Sequence, residues 1–188
     1  MLKDLVVRNR SYRRFYQDVA ISREILRELV DLARCSATGS NRQPLKFILS
    51  CEPERNALIF PHLSFARNLG WGGPVEGERP SAYIIILGDT EINKTFGSDH
   101  GIAAQSILLG AVEKGLGGVM LGSAKKAELS QSLNIPPRYE ILLVIALGKP
   151  KETVVLETVK PDGDCKYWRD GEGVHHVPKR KLDDIIIG

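Results

Sequence analysis

The sequence predicts an α+β fold in which helices pack on a central sheet. Two apolar runs, "SAYIIILGD" (81–89) and "YEILLVIALGKP" (139–150), have the composition of strands buried on both faces. Two other stretches, 22–37 and 98–117, carry apolar or small residues at helical spacing. Helices and strands follow one another without a clean βαβ rhythm, which favours a mixed arrangement over a doubly wound parallel sheet. A chain of 188 residues, 43% hydrophobic and 26% charged, is long enough to close one sizeable core, so a single domain over 1–188 is expected.

The first feature along the chain is "RNRSYRRF", which sets Arg8, Arg10, Arg13 and Arg14 within eight positions although the formal net charge is only +3. Like charges so close repel, so they must be well solvated or meet an anion. "SREILRELVDLARCSA" follows, with Ile25, Leu29 and Leu32 beside Leu26, Val30 and Ala33 on one helical stripe and Ser22 as N-cap. The small and turn-forming residues of "ATGSNRQP" end that helix, and Pro44 opens a strand, "LKFILSC". From Glu52 to Pro80 four prolines and Gly70, Gly72, Gly73 and Gly77 predict an irregular excursion of the kind that serves as a functional loop or lid.

After the strand 81–89, Ser98 and Asp99 are cap candidates for a long helix with Ile102, Ala103, Ser106, Ile107, Gly110 and Ala111 at helical spacing. So many small residues suit close helix packing, at the centre of a core or across a dimer axis. "GGVMLGS" is a short strand, "SAKKAELSQSLNIPP" a short helix ended by Pro136, and 139–150 the last buried strand. The tail from Lys151 is more polar, starts a helix at Asp183 and Asp184, and carries a second basic knot at Lys179, Arg180 and Lys181.

Several chemistries are set aside at this stage. No apolar run approaches the ~20 residues of a spanning helix, and "MLKDLVVRNR" is too charged for a signal peptide, so a cytoplasmic protein without a membrane partner is expected. Cys35, Cys51 and Cys165 are widely spaced without a CxxC pair, which suggests neither a disulfide framework nor a zinc site. "GLGGVMLG" is not a dinucleotide fingerprint, because a helix precedes the glycines and a strand follows, the reverse of the required order; its glycines read as turn residues. His175 and His176 are adjacent on an extended segment and point to opposite sides, a poor joint metal site. No nucleophile-base grouping presents itself in the sequence.

What remains is the arginine cluster, the "SNRQP" loop and the basic tail. Phosphate suits them, since the guanidinium fork meets its oxygens two at a time and Ser11 adds a hydroxyl. The alternatives are a solvated basic face and a nucleic-acid-binding module, the latter without any interleaved aromatic platform.

Taken in order, these landmarks resemble the nitroreductase family of flavin-dependent oxidoreductases. The family's basic-Ser-x-basic-x-aromatic segment is matched at Arg10, Ser11, Arg13 and Phe15. A helix end followed by small residues and Asn-x-Gln-Pro is matched by "ATGSNRQPLKF", Asp-x-Gly-x-Ala-x-Gln opening a long helix by "DHGIAAQSILLGAVEKGLGG", and the final strand by "IP" before it and "ALGKP" after it. "HHVPKR" resembles the C-terminal segment of short members. The resemblance implies a central, mainly antiparallel sheet flanked by helices in an intertwined homodimer. FMN would lie at the subunit interface, reduced by NADH or NADPH and reoxidised by nitroaromatic, quinone or similar small acceptors in ping-pong fashion.

By position, the resemblance assigns Arg10 and Ser11 to the FMN phosphate and ribityl chain. Arg13 goes to the pyrimidine edge, where negative charge gathers when a flavin is reduced. Lys179, Arg180 and Lys181 would close on the same phosphate. Thr38, Gly39 and Asn41 would come from the partner subunit, and Leu121 with Gly122 would approach the flavin ring. No side chain need act as acid or base, because the cofactor carries the reaction. Phe65 and Trp71 are candidate walls of an acceptor pocket, with core packing as their other reading. The chain departs from the family at Asn9, where a further basic residue is common, at Leu45, where an aromatic is common, and in the short, glycine-rich stretch 51–81. A flavin-holding redox sensor without turnover shares all these binding residues and stays beside the reductase as an alternative.

Overall fold

The main helices and strands that the sequence predicts, the helix at Asp183 and Asp184 excepted, occur in the computed structural model, which describes residues 1–66, 70–161 and 163–188. Two compact units form, Met1–Pro150 and Lys151–Gly188. The first contains α1 (Leu2–Arg8), β1 (Phe15–Tyr16), α2 (Arg23–Arg34), β2 (Leu45–Ser50), α3 (Pro53–Ile59), β3 (Ala82–Asp89), α4 (Asp99–Glu113), β4 (Gly117–Leu121), α5 (Lys126–Ser132) and β5 (Tyr139–Pro150).

β3 and β5 read as unbroken apolar runs because the sheet is covered twice. On β3, Ala82, Ile84 and Ile86 join Ile145 and Leu147 of β5 in a core under α2 and α4. The alternate residues Tyr83, Ile85 and Leu87 join Val144 and Ala146 in a second core with Ile59, Phe65 and Leu129. A strand with period-two side chains needs apolar residues at every position when both of its faces are buried. β5 is the hub, pairing antiparallel with β1, β3 and β4, and β2 closes the far edge on β3. Among the described residues, Ser11 adds a parallel bridge to Gly118 of this sheet.

α2 starts at Ser22, whose hydroxyl accepts the Ile25 N–H, and buries Leu26, Leu29 and Ala33. Leu32 lies at the edge of the stripe and is 43% exposed. The small residues of α4 serve the core: a Cβ on Gly110 would stand 2.3 Å from Leu32 Cδ1 and 3.0 Å from Leu29 Cδ2, so glycine is what allows α2 and α4 to approach.

Four local expectations are corrected. The stretch 52–80 is not wholly irregular, because Pro53 at the first helical position starts α3, continued by a 3₁₀ turn at Phe60–His62. α5 stops at Ser132, before Pro136, with Asn134 in the left-handed region. The turn after α4 uses only Gly115 (φ +73°), whereas Gly117 and Gly118 lie within β4. Asp183 and Asp184 belong to a single 3₁₀ turn, Leu182–Asp184, and not to a helix start.

The second unit is a small sheet that the polar tail did not announce, formed by β6 (Val154–Thr158), β7 (Trp168–Arg169) and β8 (His175–Lys179) in the order β6-β8-β7. β6 runs parallel to β8 and β7 antiparallel to it. No helix among the described residues is long and apolar enough to cross a membrane.

Candidate functional site

The arginine segment is laid along β4. Tyr12 donates its N–H to Gly118 O at 3.1 Å and its hydroxyl to Arg8 O at 3.1 Å, and Ser11 bridges Gly118 in parallel. This approach depends on the two glycines. A Cβ on Gly117 would stand 2.5 Å from the Tyr12 ring, and one on Gly118 2.6 Å from the backbone oxygen of Ala146. The "GLGG" sequence therefore carries a packing requirement that its turn-like composition concealed. Phe15 anchors the other end of the segment: it is fully buried, and a Cβ on Gly148 would collide with it.

The four arginines have different fates. Arg14 pairs with Glu78 at 3.3 Å and lies over the Trp71 ring, 5.4 Å from its centroid. Arg13 donates to Ser11 O at 3.1 Å. Arg8 is exposed. Arg10 donates from Nη2 to Val6 O at 2.7 Å, while its Nε is buried without a hydrogen-bond partner and no carboxylate among the described residues pairs with it. Burial holds its pKa below the usual guanidinium range. A desolvated cation without a counter-ion is costly unless an anion completes it.

β4 then ends in Leu121, which is 5% exposed, and Gly122 follows it, with open space where a Cβ would stand. The structure thus brings the segment of Arg10, Ser11 and Arg13 to the strand that terminates in Leu121, with Gly122 just beyond.

Thr38, Gly39 and Asn41 occupy a separate loop at the N-terminus of α4. The Gly39 N–H donates to Asp99 Oδ1 at 2.9 Å, and Asp99 is itself buried. Within the loop, Asn41 N–H reaches Thr38 O at 3.0 Å, Gln43 N–H reaches Thr38 Oγ1 at 3.2 Å, and Gln43 Nε2 reaches Asn41 Oδ1 at 3.2 Å. Ser40, Asn41 and Gln43 all have φ near +50°. An open groove of about 610 Å³ lies against this loop, lined by Thr38, Gly39, Ser40, Phe96 and Asp99 among others.

Lys179 ends β8 in the second unit, with Arg180 and Lys181 after it, all three exposed. Phe65 is 5% exposed and its ring centroid lies 5.8 Å from that of Phe60, so its side chain belongs to the second core. Trp71 is partly buried against the same core under the Arg14 guanidinium. Sequence reasoning missed three contributors: Tyr12 with its glycine partners, Asp99 as anchor of the Gly39 loop, and Glu78 as the counter-ion of Arg14. Asp99 stood out in the sequence only as a cap candidate; in the structure it is the first residue of α4 and makes no cap bond, its carboxylate accepting the Gly39 N–H instead. The others depend on contacts between segments far apart in sequence. No group of three His, Cys, Asp or Glu side chains among the described residues is arranged to hold a metal ion.

Known proteins share this framework. A sequence profile described as "Nitroreductase family" matches residues 6–65 and 77–149. A protein of Archaeoglobus fulgidus named "Putative NADH dehydrogenase/NAD(P)H nitroreductase" is 28% identical over 147 residues, covering 74% of this chain and 80% of the relative. One of the same name from Methanothermobacter thermautotrophicus is 28% identical over 153 residues, covering 78% and 76%. Among solved structures, a nitroreductase from Desulfovibrio desulfuricans in complex with FMN superposes with a TM-score of 0.73 at 23% identity over 100% of this chain and 95% of that one. An FMN-dependent nitroreductase from Clostridium difficile gives 0.64 at 23% identity over 79% and 87%. The profile match takes in the arginine segment, the Gly39 loop, β4 and nearly all of β5, more than half of the chain, and by it this chain belongs to the nitroreductase family.

Proposed function

We propose that this protein is an FMN-dependent oxidoreductase that takes electron pairs from NADH or NADPH and passes them to nitroaromatic, quinone or similar small acceptors in ping-pong fashion. The observation that carries the reading is Arg10, a half-buried guanidinium with an unpartnered Nε and no carboxylate, held beside Ser11 on β4. These residues fit a phosphate: Arg10 offers Nε–H, Ser11 its exposed hydroxyl, and Arg13 a second guanidinium two residues on. The open space at Gly122 fits a planar ring approaching backbone.

When bound, FMN supplies the hydride and electron-transfer chemistry. The chain's own work is to bind and orient it. Arg10 and Ser11 hold the phosphate end, Arg13 places positive charge toward the pyrimidine edge, and Leu121 and Gly122 present backbone and open space toward the ring. The family resemblance also assigns Lys179, Arg180 and Lys181, three exposed cations, to an anionic group. Thr38, Gly39 and Asn41 serve the site of a partner subunit, so the working form is a homodimer with two flavins. Support for a dimer comes from α1, which buries none of its residues in the protomer and exposes Leu2, Val6 and Val7. An acceptor pocket walled by Trp71 is retained; Phe65 contributes from below as core.

The test is an absorption spectrum of the purified protein with NADH and then NADPH added anaerobically. Flavin bands that bleach with either nucleotide are expected. A colourless protein that takes up no added FMN overturns the flavin reading, and flavin that neither nucleotide reduces favours a sensor without turnover.

A further inference from the structure

The second unit holds a side-chain cluster for which the proposed chemistry has no use. His176, the second residue of β8, lies with Nδ1 2.5 Å from Glu157 Oε1 and Nε2 3.0 Å from Asp170 Oδ2. Glu157 belongs to β6, the parallel neighbour of β8, and Asp170 directly follows β7, the antiparallel neighbour. The imidazole also stacks face to face on Trp168 of β7, with centroids 4.0 Å apart and planes 5° from parallel. One side chain therefore ties together all three strands of the unit.

That geometry demands a charge state. A neutral imidazole has one N–H and one lone pair, so it donates to a single carboxylate and turns its lone pair on the other. Only the imidazolium donates at both nitrogens. The other groups around the cluster have partners of their own. Arg169 of β7 pairs with Glu152 at 2.7 Å, and His175 packs on the Tyr167 ring at 5.2 Å. The second oxygen of Asp170 accepts the Glu172 and Val174 N–H groups at 3.0 and 2.8 Å, which leaves Oδ2 to His176.

We propose that His176 is a proton-operated clamp on the C-terminal unit. Protonated, it binds β6, β7 and β8 into one sheet and holds Lys179, at the end of β8, with Arg180 and Lys181 in one arrangement. Deprotonated, it releases one carboxylate and the sheet loosens. Hydrogen bonds from Asp170 first and Glu157 second hold the His176 pKa above its ordinary value of about 6.5. A raised folded-state pKa makes the clamp fully effective below the ordinary value and lost as pH rises through the raised one. The His176 hydrogen bond in turn holds Asp170 below its ordinary range, so the clamp also fails in acid as that carboxyl protonates. A further consequence, that alkaline pH loosens the grip of the basic triplet on an anionic cofactor, rests on the flavin reading.

The experiment follows the ring protons of the four histidines of the full-length protein by NMR across about pH 5 to 10, alongside backbone amide exchange. The His176 signal is assigned by its disappearance in His176→Gln. We expect it to titrate well above the ordinary value. Protection of β6 and β8 amides, corrected for intrinsic exchange, falls by up to about tenfold per pH unit between the ordinary histidine value and that titration, as one-proton linkage requires, and levels off above it, while β3 and β5 keep theirs. In His176→Gln the protection is low already at neutral pH and loses this pH dependence. An ordinary His176 titration, or β6 and β8 protection indifferent to it, overturns the clamp; if the variant unfolds the unit, the wild-type titration still decides. Neither readout needs flavin, so a colourless protein with the expected titration overturns the flavin reading alone.

Discussion

Arg10 and Asp89 are opposite cases of a charge removed from water. Arg10 has no paired carboxylate among the described residues, whereas Asp89 is fully buried and receives Arg138 at both oxygens, 3.0 and 2.6 Å. Arg10→Ala is expected to weaken FMN binding by about 1.5 to 3 kcal/mol, the range of a charge-assisted hydrogen bond, with little change in melting temperature. Flavin titration checks it, and unchanged affinity removes Arg10 from the site. Arg138→Ala leaves the buried Asp89 carboxylate without its guanidinium and is expected to lower the melting temperature by several degrees at neutral pH. The Arg138 hydrogen bond, the largest influence, holds Asp89 below the usual carboxylate range. The stabilisation from this pair is therefore present above a pH of about 4 and lost as pH falls through the depressed value. Thermal melts of the two proteins should converge in acid.

At the scale of elements, β4 joins the core to the site. Its glycines let the arginine segment lie against it, and Gly118 has backbone as its nearest obstacle, which cannot move aside as a side chain does. Gly118→Ala is expected to destabilise by about 1 to 3 kcal/mol, the cost of overpacking, and to reduce flavin affinity as well, because Ser11 and Arg10 are displaced with it. Chemical denaturation and flavin titration on the same sample measure both. A variant with lowered stability and full flavin affinity would separate β4 packing from the site. The sequence showed β4 as a strand but not this function, because Tyr12 and Gly117 are separated by more than a hundred residues of chain. By contrast α2, α4, β3 and β5 were legible from periodicity and apolar runs, since local pattern alone records which faces are buried. The 3₁₀ and α3 turns within 52–80 were hidden by proline and glycine, which mark turns and helix starts alike. The C-terminal sheet was hidden for another reason: its paired strands β6 and β8 carry polar side chains such as Glu157 and His176 in place of a clean alternating apolar face.

At the scale of the whole molecule, the proposed homodimer would draw on the loop at Thr38, Gly39 and Asn41 and on the exposed apolar side of α1. A site composed in that way would make flavin retention depend on assembly. Dilution into the range where the dimer dissociates should release FMN in step with loss of the dimer, measured by flavin fluorescence and sedimentation on one sample. Asn41→Ala should weaken flavin in the dimer without dispersing it, and a monomer that keeps full FMN would contradict the arrangement. β5 carries a last consequence, in the time domain of synthesis. It is the shared partner of β1, β3 and β4, and it is the last of the central strands to leave the ribosome. Until Pro150 emerges, β3 and β4 each expose an edge that β5 will cover, and β1 has no strand to pair with. Such long-range closure is slow, and open edges invite association with neighbouring chains. Folding yield in the cell should therefore be governed by how long the ribosome takes to deliver one twelve-residue strand.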